Sequence, residues 1–66
     1  MITVNRRHRL EWHAGLTVRE VLRVMRYTYT HLVVRVNEEV VENERYDTYH
    51  IPDESDVRVI HLIAGG

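Results

Sequence analysis

The sequence predicts an α+β fold in which one helix packs across a mixed sheet of four to five strands. Residues 1–5 and 9–13 alternate between apolar and polar side chains, as half-buried strands do. Residues 17–26 carry apolar side chains at helical spacing instead. Residues 31–37 and 57–63 are rich in β-branched and aliphatic side chains, which are typical of strands.

The first two strands are predicted to form a β-hairpin. Each carries its apolar side chains on one face: Ile2 and Val4 on the first strand, Leu10 and Trp12 on the second. The polar stretch Arg6-Arg7-His8 between them predicts a tight turn. Because this turn lacks glycine, we expect Asn5 to adopt any positive φ that it requires.

The helix begins with a capping-box signature, Thr17-Val18-Arg19-Glu20. We expect the Thr17 hydroxyl to accept from the Glu20 N–H, and the Glu20 side chain to reach back to the Thr17 N–H. The two faces of the helix differ: Val18, Val21, Leu22 and Met25 form the apolar one, and Arg19, Arg23 and Arg26 lie opposite. This pattern predicts an amphipathic helix of about three turns, which residues 27–30 end.

The third strand is predicted to be buried on one face. That face carries Leu32, Val34 and Val36, and the other carries Val33 and Arg35. Residues 37–39 then turn the chain, and a short strand starts at Val40-Val41. The polar residues 42–56 predict an irregular segment with a turn at its end, and its expected anchors are Tyr46, Tyr49 and Ile51.

The last strand, at residues 57–63, is predicted to complete the sheet beside the first. With Val57 and Val59 directed toward the helix, the alternate side chains point outward. The expected outward face carries Val33, Arg35, Arg58, Ile60 and Leu62. The exposed face of an antiparallel sheet is usually polar, so these aliphatic residues predict a partner-docking patch. Isolated surface aliphatics, which are common, remain the alternative.

Composition bounds the classes of function. The chain has 66 residues, enough for one domain, and a formal net charge of −1, without the basic excess of a nucleic-acid binder. It has no cysteine, and His8 and His13 would point to opposite faces, so we expect no metal site. Ser55, the only serine, lies in an acidic turn, and no nucleophile–base set is evident, so we expect no enzyme. No apolar run is long enough to span a membrane, which favours a soluble cytoplasmic protein.

The order of elements, closed by Gly65-Gly66, resembles the ubiquitin-like β-grasp fold. The finer similarity is to the ThiS and MoaD sulfur carriers, and to ThiS in particular. It covers nearly the whole chain through the stretches TVREVL, VRVNEEVV, ERYDTYHI and DVRVIHLIAGG. The family commonly carries glycine after the Val-Asn of both turns, where this chain has Arg6 and Glu38.

The resemblance implies a single ubiquitin-like sulfur-carrier domain, 1–66, with a flexible tail at 64–66. In this family ATP, used by a partner, adenylates the C-terminal carboxylate, and a sulfur donor converts the adenylate to a thiocarboxylate. Gly66 would be the adenylation site, and Ala64 and Gly65 would form the tail with it. These three residues span at most roughly 10 Å, and glycine suits a tail that enters narrow active sites because it lacks Cβ. No cofactor would be bound to the carrier itself.

The implied partners are a ubiquitin-activating-like adenylyltransferase of the ThiF type, a cysteine desulfurase or other sulfur donor, and thiazole synthase in thiamin biosynthesis. Three alternatives remain open. The chain could be the small subunit of molybdopterin synthase, acting with its large subunit, or a protein modifier, or a ubiquitin-like interaction module with a silent tail. The short length favours the ThiS-type carrier. Since the chain has no lysine, it lacks the side-chain amines that a chain-forming modifier needs.

Overall fold

A computed structural model of the chain describes residues 1–27 and 32–61. Its elements, in chain order, are β1 (Ile2–Val4), β2 (His8–Leu10), α1 (Val18–Val24), β3 (Leu32–Val36), β4 (Glu39–Val41), a 3₁₀ turn (Asn43–Arg45) and β5 (Asp56–His61). The predicted α+β architecture is confirmed: one helix accompanies a mixed sheet of five strands. Among the described residues, no helix is both long and apolar enough to cross a membrane.

The strands lie in the order β2-β1-β5-β3-β4, so the last strand is the central one. β1 pairs with β2 and β3 pairs with β4, both antiparallel. β5 runs parallel to β1, with Val4 opposite Val57, and antiparallel to β3, with Val34 opposite Val59. The prediction that the last strand lies beside the first is therefore confirmed.

The core fills the space between the inner face of the sheet and the helix. Its buried apolar residues come from every strand except β2, from α1 and from the loops: Ile2, Val4, Leu16, Val18, Val21, Leu22, Val34, Val36, Val41, Tyr46, Ile51, Val57 and Val59. Leu10, Trp12, Met25, Leu32 and Tyr49 pack against this cluster while partly exposed. Fully burying one such aliphatic side chain stabilises the fold by about 1.5–3 kcal/mol.

The beginning of α1 is capped by a side chain and by a distant loop. Glu20 N–H donates to the Thr17 hydroxyl at 3.2 Å, as predicted. The other half of the predicted capping box is wrong, because the Glu20 carboxylate contacts His13 Nε2 at 2.8 Å. The first two helical N–H groups donate across the chain, from Val18 to the Tyr49 carbonyl and from Arg19 to the Tyr46 carbonyl. The irregular segment thus satisfies donors that a helix N-terminus always leaves free.

The helix is shorter than predicted, at seven residues instead of about three turns. It ends because Arg26 takes a φ of 58°, a conformation that cannot continue a right-handed helix. Tyr27 N–H donates to the Leu22 carbonyl at 2.9 Å, and Arg26 N–H to the Arg23 carbonyl at 3.1 Å. These two bonds form the Schellman motif, in which glycine usually takes the place of Arg26.

Both hairpin turns use asparagine at positive φ. In the β1–β2 turn Asn5 has φ 54°, as predicted, and Arg6 follows at φ 56°. Arg7 N–H closes the turn on the Val4 carbonyl at 3.1 Å. In the β3–β4 turn only Asn37, at φ 57°, is left-handed.

Candidate functional site

The predicted carrier tail follows the central strand of the sheet. β5 lies between β1 and β3 in the sheet, but β1 pairs with it only at Asp56 and Val57, whereas β3 pairs with it as far as His61, where β5 ends. The predicted tail residues Ala64, Gly65 and Gly66, and Leu62 of the predicted docking patch, lie outside the described residues. The strand that precedes the predicted tail is therefore paired with β3 at its last residue.

The outer sheet face brings together the other four residues of the predicted patch. Val33 pairs with Ile60, and Arg35 pairs with Arg58, across the β3–β5 ladder. Residues in register share a face, and the alternate positions of both strands are buried against the helix. Ile60 is 46% exposed, whereas the other three are half-buried. Their placement agrees with the predicted faces, and their docking role stays a prediction.

Two arginines stand in register on this face, Arg35 on β3 and Arg58 on β5. Arg58 Nε forms an ion pair with Asp56 Oδ2 at 3.5 Å, within the same strand. Arg35 Nε is buried and has no hydrogen-bond partner in residues 1–27 and 32–61. Like charges in directly opposed strand positions destabilise a sheet, and an unsatisfied buried donor adds to that cost. A carboxylate brought by a partner would relieve both.

Val40 belongs to the same face, and the sequence analysis did not assign it there. It lies opposite Arg35 in the β3–β4 ladder and is 55% exposed. The adjacent Val41 is buried, so strand alternation alone assigns Val40 to the outer side. Val40 thus lies beside Arg35 in the sheet, and the Val33–Ile60 pair is the next outward-facing pair along the β3–β5 ladder. We call Val33, Val40 and Ile60, with Arg35 and Arg58, the outer patch.

A small polar cluster lies beside the end of β5. Asn5 Nδ2 donates to the Tyr27 hydroxyl at 3.3 Å, and Asn5 Oδ1 accepts from Val59 N–H at 2.7 Å. The Tyr27 ring meets His61 edge-on, with ring centroids 5.3 Å apart. Sequence reasoning identified the backbone of Asn5 but not this role of its side chain. The asparagine at a turn was the available signal, because asparagine combines left-handed backbone geometry with a side-chain acceptor.

Ser55 has a structural role. It is 2% exposed, its hydroxyl donates to the Pro52 carbonyl at 2.6 Å, and it accepts from Asn37 Nδ2 at 3.3 Å. Within residues 1–27 and 32–61, no three histidine, aspartate or glutamate side chains are grouped closely enough to hold a metal ion.

Comparison with known proteins agrees with this geometry. A model of the ThiS family matches residues 2–66. The crystal structure of a thiamine biosynthesis protein (ThiS) from Geobacter metallireducens is similar, with 27% sequence identity and a TM-score of 0.78. The alignment covers 98% of this chain and 97% of that one. No curated protein matches the chain significantly.

The family match extends across the hairpin, the helix, the central strand and the final glycines, and the fold match covers the same span. Proteins of this family are small sulfur carriers rather than catalysts. The chain described here belongs to the ThiS family.

Proposed function

We propose that this protein carries sulfur as a thiocarboxylate on the carboxyl group of Gly66. The carboxylate attacks the α-phosphate of ATP in a partner adenylyltransferase, which releases pyrophosphate and forms an acyl-adenylate. The terminal sulfur of the donor's persulfide then displaces AMP and forms an acyl disulfide, and a thiol reduces the S–S bond, which leaves a thiocarboxylate on Gly66 and a disulfide between the donor cysteine and the thiol. The single observation that supports this proposal most is the family match over residues 2–66, which includes the last two glycines.

The central position of β5 in the sheet, and the length of chain that follows it, also support the proposal. Because β5 is the central strand, it is bonded to β1 on one side and to β3 on the other. The five residues after His61 can extend about 17 Å at most, enough to take a terminal carboxyl group well clear of the sheet. Such a tail can enter an active site while the folded domain stays outside.

The outer patch supplies the recognition that this reaction needs. An enzyme that holds Gly66 must pass close to the end of β5, where Ile60 is exposed. The patch combines aliphatic side chains with two guanidinium groups, one of them with an unsatisfied donor. We therefore propose that the adenylyltransferase and the sulfur-accepting synthase each present an apolar surface with a carboxylate at its centre. Burial of an ion pair between this carboxylate and an arginine of the outer patch is favourable only when all hydrogen bonds of the pair are formed.

We further propose that the acceptor is thiazole synthase, so that the sulfur enters thiamin biosynthesis. The similar Geobacter metallireducens protein is a thiamine biosynthesis protein, and the two chains align almost end to end. Cysteine desulfurase is the sulfur donor that we propose. ATP is the co-substrate of the adenylyltransferase and not a ligand of the carrier.

Mass spectrometry of the intact chain tests the carrier function. The protein is incubated with ATP, its cognate adenylyltransferase and a sulfur donor, and the product is expected to have one oxygen replaced by sulfur. Gly65→Val is the matched variant. A β-branched side chain at this position would block entry to a narrow site, so activation is lost while the melting temperature is unchanged.

Failure of the wild-type chain to acquire sulfur would refute the proposal. Activation of Gly65→Val at the wild-type rate would refute the narrow-site explanation for the glycines. To assign the acceptor, the thiocarboxylated carrier is offered separately to thiazole synthase and to the large subunit of molybdopterin synthase. Transfer to the second alone would exclude the thiamin assignment.

A further inference from the structure

The parallel ladder between β1 and β5 is completed by a side chain. Thr3 N–H donates to the Ser55 carbonyl at 3.0 Å, and Asn5 N–H donates to the Val57 carbonyl at 2.8 Å. In a regular parallel ladder the next bond would run from Val59 N–H to the main-chain carbonyl of Asn5. At that point β1 has ended and Asn5 has turned to φ 54°. The bond is made instead to Asn5 Oδ1, at 2.7 Å.

The orientation of this amide follows from its partners. A backbone N–H can only donate, so the atom that faces Val59 must be the oxygen. The Asn5 Nδ2 group then faces the Tyr27 hydroxyl at 3.3 Å. Tyr27 in turn contacts the His61 ring. One side chain thus holds the end of β5 directly at Val59 and, through Tyr27, at His61.

The start of β5 has a matching arrangement. Asn37, at φ 57° in the other hairpin turn, accepts from Asp56 N–H through its Oδ1 at 3.0 Å. Its own N–H donates to the Asp56 carbonyl at 2.8 Å. The central strand is therefore held at its beginning by one turn asparagine and near its end by another. Of these two asparagines, Asn5 is the one bonded near the end of β5.

We infer that Asn5 is a positioning residue for the carrier tail, an inference that rests on the proposed function. Its side chain continues the β1 side of the ladder by one bond, to Val59, while β3 pairs with β5 as far as His61. Val59 is thus bonded on the β1 side, two residues before the end of β5. Without the bond, β5 has only β3 as a neighbour from Val59 onward. The tail then starts from a mobile base, and its carboxyl group loses the alignment that an efficient attack on ATP needs.

The test uses three variants of the full chain. Asn5→Gly keeps the left-handed turn, because glycine adopts positive φ at no cost, but removes the side chain. Asn5→Asp keeps an acceptor for Val59, and the Tyr27 hydroxyl can donate to the new carboxylate. Asn37→Gly is the control, since it removes the equivalent bond from the start of β5 and leaves the end untouched.

Amide hydrogen exchange measures how strongly the N–H groups near the end of β5 are protected. In Asn5→Gly the exchange of Val59 N–H is expected to accelerate at least about tenfold relative to wild type, as for loss of a part-buried hydrogen bond. Asn5→Asp should restore protection, and Asn37→Gly should accelerate Asp56 but not Val59. Unchanged exchange at Val59 in Asn5→Gly would overturn the inference.

Adenylate formation measures the consequence for the tail. With the cognate adenylyltransferase, kcat for Asn5→Gly is expected to fall at least about fivefold while KM, which the outer patch governs, changes by less than about twofold. Asn5→Asp should recover kcat, and Asn37→Gly should keep it. An equal loss of kcat in both glycine variants would mean general destabilisation and would overturn the inference. If the wild-type chain is activated and Asn5→Gly matches it, the inference alone fails. If the wild-type chain is not activated, the proposed function itself fails.

Discussion

Asn5 and Asn37 occupy turn positions with the same backbone strain, but the residues after them differ. Arg6 has a φ of 56°, whereas Glu38 has no positive φ. A side chain with a Cβ pays roughly 1–2 kcal/mol in the left-handed region. The two positions at which the family commonly carries glycine therefore differ in cost: arginine is strained in the first turn, and glutamate is not strained in the second.

Arg6→Gly is accordingly expected to stabilise the protein by about 1 kcal/mol, which raises the melting temperature of a domain of this size by about 4–8 °C. The matched variant Glu38→Gly should lower the melting temperature instead. At position 38 no positive φ has to be relieved, so glycine only increases the conformational entropy of the unfolded chain. Thermal melts of both variants check this. A fall in melting temperature for Arg6→Gly would contradict the strain argument.

His13 and Glu20 form an exposed pair whose strength depends on pH. The hydrogen bond that His13 donates to the Glu20 carboxylate, and then the one that it donates to the Ala14 carbonyl, raise the pKa of His13 above its ordinary value of 6.5. Because the folded-state pKa is higher than the unfolded one, the stabilisation is complete below the unfolded pKa. It is lost as the pH rises through the folded pKa.

We therefore expect the pair to stabilise the protein most at acidic pH, and to lose that contribution from about pH 6.5 upward. Melting temperatures of wild type and Glu20→Gln, measured from about pH 5.5 to about pH 8.5, should converge as the pH rises. NMR titration of His13 in both proteins is the direct control. Equal His13 pKa values in the two proteins would contradict the pairing.

At the scale of elements, β5 has two faces with different roles. Val57 and Val59 are buried against the helix, while Ile60 is 46% exposed on the outer patch. Val24, on the helix side of the molecule, is also a β-branched aliphatic residue, one methylene smaller than Ile60, and is 59% exposed. Substitutions at Ile60 and Val24 can therefore separate an effect on docking from the general effect of removing an exposed aliphatic side chain.

Ile60→Ser is expected to weaken binding to the adenylyltransferase at least about tenfold, because a central interface side chain can contribute more than about 2 kcal/mol. Leu62→Ser should act in the same way. Val24→Ser, the control, should bind as wild type does. Titration calorimetry gives the affinities, and melts of the free variants exclude unfolding. Unchanged affinity for both Ile60→Ser and Leu62→Ser would remove the outer patch from the docking model.

Arg58 belongs to the same face and has a different expected effect. It is partly exposed and paired with Asp56, so Arg58→Glu should slow association and alter its salt dependence more than it speeds dissociation. Stopped-flow binding at two ionic strengths separates the two rates.

At the scale of the whole molecule, the small core depends on the contact between one short helix and the sheet. Leu22 is 4% exposed and lies in the cluster that joins α1 to β1, β3 and β5. A chain of this size has a small margin of stability, about 5–15 kcal/mol at most. The loss of one core side chain therefore removes a large share of the free energy of unfolding.

Leu22→Ala is expected to lower the free energy of unfolding by about 2–5 kcal/mol. Val24→Ala on the exposed side of the same helix should change it by no more than about 0.5 kcal/mol. Urea denaturation followed by circular dichroism gives both values. Identical midpoints for the two variants would mean that the helix does not cover the sheet as described.

The sequence by itself determined what depends on residues close to one another along the chain. The period-two pattern of residues 57–61 assigned Arg58 and Ile60 to the outer face, because successive side chains of a strand point to opposite sides. The Thr17 cap was readable for the same reason, since its partner, Glu20, is three residues away. The resemblance to the family also rested on short stretches of consecutive residues.

Only the tertiary structure decided what depends on distant residues. The helix ends at Val24 and Arg26 takes a positive φ, although arginine is a good helix former. Glu20 contacts His13, although its own N-cap residue is nearer along the chain. The hydrogen bond from Val59 to Asn5 joins positions 54 residues apart, so no local sequence pattern predicts it. The physical reason is that these partners come within reach only in the folded chain: Val59 meets Asn5 when β5 lies beside β1, and Tyr27, just after the helix, meets His61 at the end of β5.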